Sequence, residues 1–172
     1  MRRIVIVGNA GSGKSTLARK LGARLGLPVV HLDALNWESG WKVLPPEELR
    51  ERLQEAISGD AWITDGNYAL LTFDLRLPRA DLVIWVERPI ASCILRVLRR
   101  AAKSYFHDKE YLSEGCPERF DHRFRDRLRF IWNFNRINRP RIQEALKVHG
   151  PTAPVVTLHG DGEIAAFLKS VG

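Results

Sequence analysis

Apolar and polar positions along the chain set out strands and helices in turn. Ile4-Val5-Ile6-Val7 is an unbroken β-branched run, which suits a strand buried on both faces of a parallel sheet. Over residues 14–25, Leu17, Ala18, Leu21 and Leu25 recur at helical spacing, and Gly26 with Pro28 closes the element. The pattern then repeats: residues 29–32 predict a strand, 46–57 a helix with Glu47 and Glu48 favourably placed in its first turn, and 61–64 and 82–86 two more strands. Residues 88–103 read as a helix and 104–117 as a polar connection. A long arginine-rich helix follows from 118 to 136 or beyond, with a break at 138–140. A strand at 154–158 and a helix at 162–168 complete the series. Such alternation predicts an α/β chain with a five-stranded parallel sheet between two helical layers.

Composition narrows the class. At 172 residues, 45% apolar and 27% charged, the chain has the size and balance of one ordinary globular domain covering 1–172. No apolar run approaches the roughly 18 residues of a membrane span, and the stretch after Met1-Arg2-Arg3 is too brief for a signal peptide, so a cytoplasmic protein without membrane contact is expected. Cys93 and Cys116 have neither zinc-site nor redox-pair spacing and read as free thiols. The formal charge of +7 and pI near 9.8 point to an anionic partner, either nucleotide phosphates or nucleic acid. Arginines gather between positions 88 and 141.

One segment carries definite chemistry. Gly8-Asn9-Ala10-Gly11-Ser12-Gly13-Lys14-Ser15 fits G-x-x-x-x-G-K-[ST] and lies between the first strand and the first helix. Glycines let successive amide N–H groups turn inward, and the helix N-terminus adds partial positive charge for phosphate oxygens. Lys14 supplies a point charge for the β- and γ-phosphates of ATP, Ser15 a hydroxyl for Mg²⁺, and Thr16 continues the cradle into the helix.

The rest of the chain selects among P-loop classes. The N-K-x-D guanine reader of GTPases is absent, and motor ATPases carry more chain for coupling. A small kinase needs a magnesium carboxylate, an acceptor site and mobile cations. Asp65, at the end of a strand and before Gly66, is the candidate metal carboxylate. Asp33, after the strand ending at Leu32, is the candidate catalytic and acceptor carboxylate, with His31 beside it as a possible relay. Arg96 and Arg100, four apart on one helix face, are the candidate lid cations. Arg119, Arg123, Arg125, Arg127 and Arg129 supply further candidates, of which one or two would reach the γ-phosphate. Asn67 and Tyr68 offer polar and aromatic contacts for an acceptor, and Trp37 and Trp41 offer stacking or ordinary packing. Arg76 is a candidate partner for an acceptor phosphate.

The P-loop, His31-Leu32-Asp33, Asp65-Gly66-Asn67-Tyr68, Asp74-Leu75-Arg76-Leu77 and Gly115-Cys116-Pro117-Glu118 together resemble the DNA topology modulation protein family across nearly the whole chain. That resemblance implies a branch of P-loop kinases akin to adenylate and shikimate kinases: a three-layer nucleoside-kinase-like fold, ATP and Mg²⁺ as cofactors, and a helical lid near 100–125. The loop at 159–162 falls where adenylate-kinase-like folds contact adenine. His31 stands where shikimate kinases place the first carboxylate of an Asp-x-Asp pair, and their Gly-Gly-Gly acceptor segment is missing, so shikimate is not the expected acceptor.

The leading expectation is therefore a small-molecule kinase passing the γ-phosphoryl group of ATP to a nucleoside, nucleotide or other small acceptor, as a monomer or homodimer. An ATP-dependent DNA-binding regulator of DNA topology is the alternative, and its affinity would fall steeply with salt. A nucleotide-binding protein with only slow hydrolysis is the third reading, because His31 breaks the carboxylate pair.

Overall fold

The computed structural model describes residues 1–38, 42–106, 122–150 and 152–171. In chain order the elements are β1 (Arg3–Gly8), α1 (Lys14–Leu25), β2 (Val29–His31), α2 (Leu32–Asn36), β3 (Trp37–Glu38), β4 (Lys42–Val43), α3 (Pro46–Ala56), β5 (Trp62–Asp65) and α4 (Ala69–Arg76). A 3-10 turn (Leu77–Arg79), β6 (Leu82–Glu87), α5 (Ile90–Phe106), α6 (His122–Asn133), a π turn (Phe134–Asn138), α7 (Arg139–His149), β7 (Val155–His159) and α8 (Gly160–Ser170) follow. Five strands form one parallel sheet in the order β2-β5-β1-β6-β7, while β3 and β4 pair antiparallel on their own. The expected five-stranded parallel sheet is thus the fold observed.

The β-branched run of β1 sits at the centre of that sheet, with Ile4, Val5, Ile6 and Val7 all fully buried. Because side chains alternate across a strand, Val5 and Val7 pack into the layer that holds Leu53, Phe73 and Ile142, and Ile4 and Ile6 into the layer that holds Leu17, Leu21 and Ile164. Each such side chain contributes on the order of 1.5–3 kcal/mol of burial. A third cluster joins α5 to α6 through Cys93, Val97, Ala101, Phe124 and Ile131. Cys93 is a buried free thiol, and Cys116 lies outside the described residues.

Three local features differ from the sequence expectation. The second strand stops at His31, and Leu32–Asn36 coils into α2, so Asp33 lies in a helical first turn rather than beyond a strand tip. Residues 69–76, which carry no strong periodic signal over so short a span, form α4. The break expected at 138–140 is a change of helix type instead: a π turn, closed by the Arg139 N–H on the Phe134 carbonyl, runs directly into α7, with Pro140 in its first turn.

Asp81 fixes the start of the sheet. Its Oδ2 accepts the backbone N–H groups of Arg2 and Arg3 at 2.8 and 3.0 Å, and its Oδ1 accepts Nη2 of Arg3 at 2.8 Å, just before Ile4 and Leu82 come into register. These donors hold the Asp81 carboxyl below its ordinary 3.8, at about 2. A depressed pKa stabilises the fold above the unfolded value and loses that contribution as pH falls from about 4 to about 2. Because the pair is about a third exposed, solvent screening reduces the effect to about 1 kcal/mol. Asp81→Asn is expected to destabilise the chain by about that amount at pH 7 and by almost nothing at pH 2, as read by urea denaturation at the two pH values.

Candidate active site

The loop of residues 8–15 leaves β1 and enters α1 in a conformation that only glycine accommodates at its two tightest points. Gly8 has φ 144°, and a Cβ there would lie 2.3 Å from the Val86 carbonyl oxygen. At Gly11, φ 78°, a Cβ would lie 2.5 Å from the carbonyl oxygen of Cys93. The neighbouring strand β6 and helix α5 therefore press directly on the loop. Inside it, Ser12 N–H donates to the Asn9 carbonyl at 3.2 Å, and Lys14 Nζ donates to the same oxygen at 2.9 Å. Asn9 ties the loop outward, its Nδ2 donating to the Ile131 carbonyl of α6 at 3.1 Å and its Oδ1 accepting Ala10 N–H at 2.8 Å. Burial pulls the Lys14 ammonium below its ordinary pKa, while Asp33 and Asp65 oppose that shift. Thr16 is exposed in the first turn of α1.

The carboxylate side follows from strand register. Ile6 of β1 pairs with Asp65 of β5, and His31 of β2 pairs with Asp65 from the other side. Asp65, 4% exposed, accepts the Ser15 hydroxyl on Oδ2 at 2.6 Å and pairs through Oδ1 with His31 Nδ1. That hydrogen bond raises the His31 pKa against the opposing effect of burial. Asp33 is exposed at the start of α2. The Tyr68 phenol is hydrogen-bonded with Asp33 and Asn36, and burial beside the Asp33 charge pushes its pKa up. Tyr68 itself adopts φ 34°, the left-handed region, as it caps α4.

Two residues expected to meet an acceptor are committed elsewhere. Asn67 spends its amide on the loop: Oδ1 accepts Gly8 N–H at 3.1 Å and Nδ2 donates to the Gly8 carbonyl at 3.0 Å. Arg76 is fully buried. Its Nη1 donates to the Gly66 carbonyl at 3.2 Å, and its Nη2 donates to the Asn67 carbonyl at 2.8 Å and Thr72 Oγ1 at 2.9 Å. The guanidinium also lies over Phe73, 4.6 Å from the ring centre. Burial draws Arg76 down to about 9, so it stays charged at neutral pH. Both residues therefore shape the 65–68 turn, and neither offers its side chain to an acceptor. Nothing in the letters distinguishes a buried turn-forming arginine from a phosphate ligand.

The cations divide by position. Arg96 lies beside the loop, 3.9 Å from a Cβ built on Gly13, and forms an ion pair with Asp161 at 3.5 Å. Arg100, a turn further along α5, acts on Lys14 as a like charge. Arg127 and Arg123 stand one and two turns before Ile131, on the side of α6 that meets Asn9, whereas Arg125 and Arg129 are exposed away from it. Arg119, Trp41 and the 115–118 motif lie outside the described residues, as does 107–121 of the expected lid. Residues 159–162 close β7 and open α8, where Glu163 accepts His159 N–H at 2.7 Å.

Arg88 was not among the sequence candidates. Its side chain is 6% exposed, Nε donates to the Ser12 carbonyl at 2.6 Å, and the remaining guanidinium clasps Asp161. It thus links the phosphate-loop segment to the first turn of α8. Its place just after β6, the strand pressed on Gly8, was the available signal.

Against known proteins, no family model matches the chain, and no curated protein matches it in sequence. Solved structures do. The chain is similar to a shikimate kinase from Bacteroides thetaiotaomicron, with 16% identity and TM-score 0.59, covering 99% of this chain and 96% of that one. It is also similar to the shikimate kinase from Acinetobacter baumannii in complex with shikimate, with 18% identity and TM-score 0.56 over 99% and 90% of the two chains. The chain shares the shikimate-kinase-like P-loop fold.

Arg76→Ala is expected to cost about 3 kcal/mol in urea denaturation, because it empties a packed site and strands the Gly66 and Asn67 carbonyls. Arg76→Lys should recover little of that, since one ammonium cannot reproduce the guanidinium fork. A loss below about 0.5 kcal/mol for the alanine variant would contradict the structural role.

Proposed function

We propose that the chain is an ATP-dependent small-molecule kinase. The observation that carries the reading is the 2.6 Å contact between Ser15 of the loop and Asp65 of the adjacent strand, which sets two hard oxygen donors side by side at the phosphate cradle. A hydroxyl and a carboxylate suit Mg²⁺, and these two residues would hold it. The ion would offset charge on the β- and γ-phosphates. The loop from Gly8 to Ser15, with the first turn of α1 including Thr16, cradles the triphosphate through the amides of Asn9, Gly11, Gly13 and Ser15, while those of Gly8, Ala10 and Ser12 hold the loop's shape by donating to Asn67 Oδ1, Asn9 Oδ1 and the Asn9 carbonyl. Lys14 releases the Asn9 carbonyl and turns to the phosphates. Arg96 and Arg100 supply further positive charge from α5.

Asp33 takes the proton from an acceptor hydroxyl while that oxygen bonds to the γ-phosphorus and the bond to the β-phosphate oxygen breaks, releasing ADP. Tyr68, hydrogen-bonded with Asp33, lines the acceptor side and orders that carboxylate. Asn67 and Arg76 hold the turn that presents Tyr68. The acceptor is a nucleoside, nucleotide or comparable small molecule, and kinship with the DNA topology modulation protein family is part of the same reading. The chain forms one P-loop domain.

A second reading, nucleotide binding with only slow hydrolysis, draws on the pairing of His31 with Asp65, which occupies one of the two oxygens of that carboxylate.

Labelled ATP and a panel of nucleosides, monophosphates, sugars and cyclitols separate the two. A phosphorylated product is expected from at least one acceptor, with Asp33→Asn lowering kcat by about 10²–10⁴ while ATP affinity holds. ADP and free phosphate from every acceptor alike would favour the hydrolysis reading. Lys14→Ala should abolish detectable ATP binding by calorimetry, and retained binding would sink both.

A further inference from the structure

Helix α6 presents two unlike faces. One carries Phe124 and Ile131 into the cluster with Cys93, Val97 and Ala101, and the Ile131 carbonyl meets Asn9 of the loop. The other carries Arg125, Arg129 and Trp132, and continues into the π turn with Arg136, at intervals of four, three and four residues. Such intervals place all four side chains along one stripe. All four are exposed, and the indole of Trp132 is 69% exposed.

Nucleotide chemistry at the loop does not account for this stripe, because it lies away from the side of α6 that meets Asn9. Charge balance does not account for it either. Between positions 122 and 143 the chain has seven arginines and one acidic residue, Asp126. Local bonds arrange the stripe: Asn133 Nδ2 donates to the Arg129 carbonyl at 3.0 Å, and Arg136 Nη2 donates to Asn133 Oδ1 at 3.2 Å.

A large aromatic left in water among regularly spaced guanidinium groups is the combination that binds unpaired bases, with arginines on the phosphates and the ring face on a base. Duplex nucleic acid keeps its bases stacked on one another and offers no free face to the indole. We infer that the outer stripe of α6, Arg125, Arg129, Trp132 and Arg136, is a docking surface for single-stranded nucleic acid. The surface is separate from the phosphate loop and does not rest on the kinase reading.

The test is fluorescence anisotropy of a labelled 20-nucleotide oligothymidine with the full chain from 50 to 200 mM NaCl, beside a duplex of equal length and phosphatidylserine vesicles. Single-strand binding is expected to exceed duplex binding. Trp132→Ala should weaken it about 5-fold or more, and Trp132→Phe should retain most of it. Replacing Arg125, Arg129 and Arg136 together with glutamine should reduce the slope of log K against log salt by about 2, as three phosphate contacts require. Unchanged thermal midpoints would show that the variants fold. The proposal is overturned by no binding at 50 mM salt, by duplex binding as tight as single-strand binding, or by Trp132→Ala indistinguishable from the parent. Vesicle binding without oligonucleotide binding would assign the surface to a membrane instead and overturn it too.

Discussion

Parallel pairing of β1 with β5 is the constraint on which the candidate site depends. It brings Ile6 level with Asp65, so a carboxylate on one strand emerges beside a loop that begins two residues later on the next. Asn67 then locks the two strand ends by exchanging hydrogen bonds with both backbone groups of Gly8. Arg76 holds the turn between them from below by donating to the Gly66 and Asn67 carbonyls. Shifting that pairing by one residue would turn Asp65 to the opposite face of the sheet and disconnect Ser15 from it. The two hydrogen bonds of Asn67 to the Gly8 backbone oppose such a slip.

The electrostatics of the site rest on compensation among unlike charges rather than on any single pair. Lys14 is disfavoured as a cation by burial and favoured by Asp33 and Asp65. Asp65 is shared between Ser15 and His31. On the other side of the loop, Arg88 joins the Ser12 carbonyl to Asp161, which also pairs with Arg96. A polyanion entering the cradle would meet Lys14 and Arg96, each already close to a carboxylate. Binding must redistribute those pairs rather than fill a site of unopposed positive charge.

How far the sequence foretold this depends on the kind of signal. The buried run of β1, the glycine spacing of the loop and the helical period of α1 are local and strong, and the sheet they imply is the one found. The position of Asp65 beside the loop was legible because a strand end has a known direction in a parallel sheet. Asn67 and Arg76 were misread because each has chemistry that suits a substrate equally well, and only three-dimensional placement shows that their donors are used on backbone carbonyls. Arg88 was passed over among many arginines for the same reason. The π turn escaped because Asn138 and Pro140 look like a break, whereas a local widening of the helix carries the chain past Pro140.

The proposed role of Ser15 and Asp65 as the metal end of an ATP site is open to test by calorimetric titration of ATP with and without MgCl₂. Mg²⁺ should tighten ATP binding to the parent chain, and Asp65→Asn should lose about 10-fold or more of that gain while still binding ATP in its absence. An equal Mg²⁺-dependent gain in both proteins would rule out Asp65 as a ligand of the ion.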